Sequence, residues 1–455
     1  MAVKGSLEGV RFSGIIILAS LAAWFSFLGL PAAAWGGAVV QEWIRSYSCP
    51  PSNGYAWGYK NAIAVDGHGN IYIIGLYEEF SAIVKYNSDG RELWARPFTG
   101  QLRAIALDGQ SNVYVTGNSV RPERNPKRNE YTTVKYNAEG QELWCRRYWG
   151  PGNGNDCARA IALDSQDNVY VTGYSMGSGT GYDYATIKYS PDGRQLWARR
   201  YNGPGNGDDY AGAIAVDGRD NVYVTGSSMG SGTASDYATI KYSPDGRTRC
   251  VRRYNGPGNG YDCAKAIAVD GQDNVYVTGS SYGDGTFVDY ATIKYSPQGR
   301  QLWISRYSRP GDIDEEGTAM ALDSQGNIYV TGISTINRYA IYKYKTIKYD
   351  PGGQELWVRS QSIGDLDNSP PAIAVDGQDN VYITGTSTLV GYDFLTVKYG
   401  PQGRKLWENY YNVPGYCSFG DSIAVDGQGN VYVTGKSTDQ SEEVFFVTIK
   451  YTQTP

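Results

Sequence analysis

The side chains with most chemical potential in this chain are carboxylates. Glu130, Asp183, Asp236, Asp289 and Asp393 each stand just before one recurring phrase, typified by YATIKY. Asp156, Asp208, Asp209 and Asp262 stand just before another, typified by AIAV. Gathered on one rim, these acids would bind Ca²⁺ or a cationic partner, because hard cations take oxygen ligands. The competing reading gives each acid to its own backbone as a hydrogen-bond acceptor. The identity of any metal is unknown at this level, Ca²⁺ is the cofactor to test, and no catalytic residue is assigned. The single histidine, His68, excludes a His-rich zinc site and leaves a Ser-His-Asp triad dependent on that one residue. The 41 Lys and Arg against 46 Asp and Glu give a net charge of −5. No basic stripe marks a nucleic-acid binder.

Thiol chemistry is the second option. The chain has six cysteines. Cys145 and Cys157 flank one loop, and Cys250 and Cys263 flank its equivalent two repeats later. The remaining pair, Cys49 and Cys417, would staple the two ends of the chain. Three bridges, Cys145-Cys157, Cys250-Cys263 and Cys49-Cys417, are therefore expected if the chain is oxidised. The alternative is six unpaired thiols acting as small apolar residues.

Compartment follows from the N-terminus. Lys4 and Arg11 precede an apolar run, Ser13 to Leu30, and then Ala32-Ala33-Ala34. That is the order of a secretory signal peptide, residues 1–34, cut after Ala34. An uncleaved membrane anchor is the alternative. Cleavage removes Lys4, Arg11 and Glu8 and leaves 39 basic and 45 acidic residues, net −6. The expected location is extracellular, cell-surface or periplasmic.

The elements that must position these residues repeat. AIAVDGRDNVYVTG at 213–226 recurs around Asp66, Asp108, Asp164, Asp217, Asp270, Asp323, Asp376 and Asp426, at spacings of 42, 56, 53, 53, 53, 53 and 50. Each unit carries four short runs rich in Val, Ile, Thr, Tyr and Trp. They are a (AIAV), b (NVYVTG), c (YATIKY) and d (QLWARRY), separated by turn residues, and they read as strands. The a–b link (DGRDN) and the c–d link (SPDG) are tight hairpins. The composition agrees, with 58 glycines and 40 tyrosines.

Four antiparallel strands per repeat predict an all-β chain, a β-propeller with eight blades or seven. The last unit lacks strand d, and Gln41 to Tyr47 matches it. The N-terminal strand should thus complete the last blade and close the ring, making residues 35–455 a single β-propeller domain, expected as a monomer. Seven tryptophans, Trp43, Trp94, Trp144, Trp197, Trp303, Trp357 and Trp407, share one strand-d position, with Cys250 at the eighth. They read as wedges between blades.

In AIAVDGQDNVYVTG at 266–279 and YATIKYSPQGRQLW at 290–303 the chain resembles the SBBP family of β-propeller repeats, and the resemblance runs over about residues 41–451. The resemblance implies an exported propeller and no established activity. GRQLW is also similar to a docking phrase of quinoprotein propellers, though adjacent cysteines are lacking, and VDGQDNVYVTG to the NHL repeat.

The b–c and d–a links are the long, varied ones, and in a meander both emerge at the same strand ends, so function is expected there. The leading expectation is a rigid, non-enzymatic scaffold that binds protein or carbohydrate, with the membrane met only through an uncleaved N-terminus. The alternative is a propeller enzyme with a site at the channel mouth: a metal- or quinone-dependent oxidoreductase, or a carboxylate-based hydrolase or lyase. Near-identical loops (SMGSGT at 175–180 and 228–233) favour the scaffold. The divergent stretches 119–130 and 335–345 are where an asymmetric site belongs.

Overall fold

The computed structural model describes residues 39–48, 61–77, 80–120, 128–309, 312–336, 341–364, 371–389, 391–412, 417–438 and 443–453. The segment 1–34 and Cys49 lie outside them. The described chain is all-β, with no helix, and so with none long and apolar enough to cross a membrane.

The third unit shows the pattern. Strands Asp156–Leu163, Val169–Met176, Tyr182–Tyr189 and Gln195–Tyr201 pair side by side in chain order, all antiparallel. Strands b and c alternate β-branched and aromatic residues and are buried on both faces. Strand d exposes its start and buries Trp197. Six such four-stranded sheets are separate. The remaining eight strands, those of the units anchored at Asp270 and Asp323, form one sheet joined by a single parallel bridge, Val288 to Asp314.

The expected swap at the termini is present. Val39–Ser48 pairs antiparallel with Val444–Gln453 and supplies strand d of the last unit. Trp43 on that strand packs between Tyr86 of the first unit and Tyr432 of the last, and its indole N–H donates to the Ser88 carbonyl at 3.1 Å.

Each anchor aspartate builds its own a–b turn. Asp164 Oδ1 accepts the backbone N–H groups of Gln166 (3.0 Å) and Asn168 (2.8 Å), while Oδ2 accepts the Tyr170 hydroxyl (2.9 Å). This is the local side-chain-to-backbone bonding that favours Asp in turns. Lys188 on strand c closes on the same carboxylate at 3.1 Å. The core is a series of clusters between neighbouring units: Tyr114, Tyr131 and Trp144 of the second pack on Val169, Val171, Ile187 and Tyr189 of the third.

The cysteine expectation is corrected. Cys145, Cys157, Cys250 and Cys263 are free thiols, so neither Cys145-Cys157 nor Cys250-Cys263 is a disulfide. In each pair one cysteine lies on an outermost strand and the other on an innermost strand. A sheet three strand spacings wide, about 14 Å, separates such positions, beyond disulfide reach. Cys145 packs instead against the cluster between the first two units, and Cys157 donates to Asn118 Oδ1 at 3.2 Å. Cys417 forms no bridge to a described residue.

Candidate functional site

The acids expected on the rim lie at the loop-bearing strand ends, but most are spent inside their own units. Strand a starts earlier than the AIAV phrase, so Asp156 and Asp209 lie within it and Asp262 directly before it. Asp209 Oδ2 accepts the Gly203 N–H at 2.6 Å and Oδ1 the Met229 N–H at 3.0 Å, tying the d–a loop to strand b. Asp262 does the same with Gly256 (2.6 Å) and Tyr282 (2.9 Å), and Asp156 with Gly150 and Met176 (both 3.0 Å). Burial pushes all three carboxyls above the ordinary aspartate value, against those hydrogen bonds.

Asp183, Asp236 and Asp289 belong to a second arrangement. Each pairs with a strand-d arginine, Arg200 (2.8 Å), Arg253 (2.7 Å) or Arg306 (2.6 Å). The same guanidinium reaches a serine of its own unit and a tyrosine of the unit before. Arg253 donates to Ser228 Oγ at 2.6 Å and to the Tyr201 hydroxyl at 2.9 Å. Asp393 accepts from Asn412, and Asp208 from the Tyr182 N–H (2.9 Å) and the Tyr210 hydroxyl (3.0 Å). Among the described residues no three His, Cys, Asp or Glu side chains converge as metal ligands would.

One place breaks the repetition. A cleft of about 290 Å³ opens between the second and third units, lined by residues 128–130, 149–154 and 156. The loops at 202–207 and 255–260 begin with Asn202 and Asn255, whose side-chain amides donate across the loop to Asn206 and Asn259, each at 2.6 Å. Trp149 replaces that asparagine and is 48% exposed at the cleft. Glu130 replaces the paired aspartate on strand c and is buried. Arg128 and Asn129 complete the polar wall, and the Asn129 N–H donates to Asn155 at 3.0 Å. Glycine backbone, an exposed indole and a few polar groups therefore line the cleft together. Asp156 has both oxygens committed to backbone. His68 sits in an a–b turn at the opposite strand ends, and its N–H donates to Asp66.

Comparison with known proteins fits this architecture. The profile of the SBBP β-propeller repeat matches residues 196–232, 252–285, 302–340 and 407–440. The chain carries SBBP repeats. All four matches start on strand d, three of them at or next to Trp197, Trp303 and Trp407, and run through strands a and b. A WD repeat-containing protein, L264, of Acanthamoeba polyphaga mimivirus is 26% identical over 387 residues, which are 76% of this chain and 26% of that protein. The chain thus spans about a quarter of the length of that relative. Among solved structures, virginiamycin B lyase from Staphylococcus aureus is 11% identical with a TM-score of 0.44, covering 76% of this chain and 94% of that one. Drosophila Plexin A, solved with Semaphorin 1b, is 10% identical with a TM-score of 0.40, covering 76% and 86%.

Further aromatics are exposed at the loop end of other units. Tyr261 is 72% exposed in a d–a loop, and Phe287 is 56% exposed in the b–c loop beside it. Tyr174, Tyr182 and Tyr210 meet with ring centroids 5.0–5.7 Å apart. Sequence reasoning marked the stretch 119–130 but missed Trp149, the role of Arg128 and the strand-d arginines. The signals were there: Trp149 stands at an asparagine position, and Arg200, Arg253 and Arg306 recur in strand d.

Proposed function

We propose that this protein is an exported, non-enzymatic β-propeller whose loop-bearing face binds carbohydrate, with the Trp149 cleft as its principal site. In this reading a signal peptide, residues 1–34, directs export to the periplasm, cell surface or medium. Residues 35–455 form a monomeric ring of eight blades, closed where Val39–Ser48 completes the last one. The register between Val39–Ser48 and Val444–Gln453 and the seat of Trp43 on the first unit support closure. The single bridge between the fifth and sixth units supports counting them as two blades.

The observation that carries the binding reading is the exposed Trp149 at the cleft, where equivalent loops carry an asparagine turned inward. Sugar rings stack on such an indole, and the cleft's backbone and polar side chains supply donors and acceptors. The rim acids hold loops in place, so the face needs no calcium to keep its shape. A protein partner is the second reading, favoured by the exposed Tyr261 and Phe287 on loops of the same face.

Affinity electrophoresis through gels containing neutral, uronate-bearing or sulfated polysaccharide tests the proposal. Retardation of the wild type by at least one polymer, lost in Trp149→Asn, is the expected result. Equal mobility of both proteins in every gel would overturn it.

A further inference from the structure

Eight lysines occupy one strand-c position of the repeat, and one of them meets a different partner. Lys85, Lys135, Lys188, Lys241, Lys294, Lys348 and Lys450 each donate to a carbonyl oxygen in the c–d turn of a neighbouring unit. Lys398, on strand c of the seventh unit, donates instead to the side-chain amide oxygen of Gln453, on the strand Val444–Gln453. That amide is also held on its nitrogen side. Gln453 Nε2 donates to the Tyr382 hydroxyl at 2.5 Å and to the Gly429 carbonyl at 3.1 Å. Tyr382 in turn donates to Asp376 Oδ2 at 2.8 Å. An amine, a carboxamide, a phenol and a carboxylate therefore follow one another in a single run of contacts.

The surroundings suit attack by the amine. Tyr382 and Lys398 are both buried, and Lys398 Nζ lies 5.1 Å from the centre of the Tyr382 ring. That ring packs with Trp407 and Tyr451 in one aromatic cluster. Burial pushes the Lys398 ammonium below its ordinary value, with Asp376 acting in the opposite sense. A desolvated lysine is the nucleophilic form of that residue. Burial, and next the bond to Asp376, keep the Tyr382 phenol protonated. Neutral Nζ adds to Cδ of Gln453, and the carbonyl electron pair moves to Oε1. When that pair returns, the Cδ–Nε2 bond breaks and Tyr382 gives its hydroxyl proton to the leaving nitrogen. The proton shed by Nζ restores the phenol, while the Asp376 carboxylate stabilises the positive charge in transit. One amide replaces another, one ammonia leaves, and nothing is oxidised or reduced.

We infer that Lys398 and Gln453 join in an isopeptide bond, made by the folded chain itself with release of ammonia. The bond locks the seventh unit to the strand on which Val39–Ser48 also pairs. Proteolytic mapping of the full chain under denaturing conditions, read by mass spectrometry, tests it. The expected product is a branched peptide joining the Lys398 and Gln453 segments, lighter than their sum by one ammonia. Gln453→Leu and Lys398→Met should each give linear peptides alone. Tyr382→Phe keeps the ring and removes the hydroxyl. It should slow linkage by about a hundredfold, the usual worth of a positioned proton donor, and so leave linear peptides in freshly made protein. The wild type decides the matter even where a variant fails to fold. Linear peptides alone from folded wild-type protein held at neutral pH would overturn the inference, as would a branched product that persists in Gln453→Leu.

Discussion

Trp144 on the outer strand of one unit donates its indole N–H, over 3.0 Å, to the carbonyl oxygen of Pro191 in the c–d turn of the next. Lys135 on the neighbouring strand donates to the same oxygen at 3.2 Å. The pairing recurs: Trp94 and Lys85 share Ala138, Trp197 and Lys188 share Pro244, Trp357 and Lys348 share Pro401. It fails at Trp407, whose indole N–H has no acceptor. The last unit takes strand d from residues 39–48 and so has no c–d turn to offer. Lys398 donates to the Gln453 side chain instead.

Removing one wedge should be costly. Trp144→Ala is expected to lower stability by ~3–5 kcal/mol, as for other large-to-small core changes. Conversely, Cys250→Trp should raise the thermal midpoint, because Cys250 Sγ sits where the other units place indole, against the turn glycine Gly299. Thermal melts of both variants check this, and a destabilised Cys250→Trp would show that the fifth unit has closed over the smaller side chain.

The turn glycines are coupled to the wedges. Gly193 has φ +83°, and an added Cβ would lie 2.8 Å from the Trp144 ring. Gly193→Ala should therefore cost more than the ~1 kcal/mol of backbone strain alone. In a double-mutant cycle with Trp144→Ala the cost should fall back toward that value. Additive costs would mean that the turn, not the indole, requires glycine.

Acid sensitivity should concentrate in the anchor aspartates. Burial opposes the charge of Asp164 and Asp217, but hydrogen bonds from Asn168 and Asn221 outweigh it and hold both carboxyls below their ordinary 3.8. A carboxyl lowered on folding stabilises above its unfolded value, and that stabilisation is lost as pH falls through 3.8 and below. Asp217→Asn should thus lose less stability between about pH 6 and about pH 3 than the wild type, measured as urea midpoints. The raised carboxyls of Asp156, Asp209 and Asp262 act in the opposite sense, so Asp209→Asn should steepen the wild-type loss.

The arginine network should matter for stability and not for cations. Asp236→Asn leaves Arg253 without its carboxylate and should cost ~3 kcal/mol, typical of breaking a buried pair. Chelator should leave the wild-type thermal midpoint unchanged, since Asp156, Asp209 and Asp262 already bond to backbone and Asp183, Asp236 and Asp289 to arginine. A lowered midpoint after metal removal would restore the cation reading.

Trp149 should separate binding from folding. Trp149→Asn permits the cross-loop amide bond seen at Asn202 and Asn255, so its melting midpoint should equal or exceed the wild type's. Retardation in polysaccharide gels should disappear. A lower midpoint would place Trp149 among structural residues.

The strands, their order within a unit, the wedge tryptophans and the pairing of Gln41–Tyr47 with the chain's last strand were legible in the sequence. Alternation, turn residues and copied phrases are local patterns, and they fix strand, hairpin and repeat without distant information. The fate of the rim acids was not legible. Asp209 holds Gly203 and Met229, and Asp236 holds Arg253, through bonds between residues 6 to 20 positions apart that only folding brings together. The cysteine pairs misled because flanking one loop in sequence places two residues at opposite edges of sheets. The meeting of Lys398 with Gln453 leaves no mark in the repeat phrase, because it belongs to a pair of neighbouring units and not to either one.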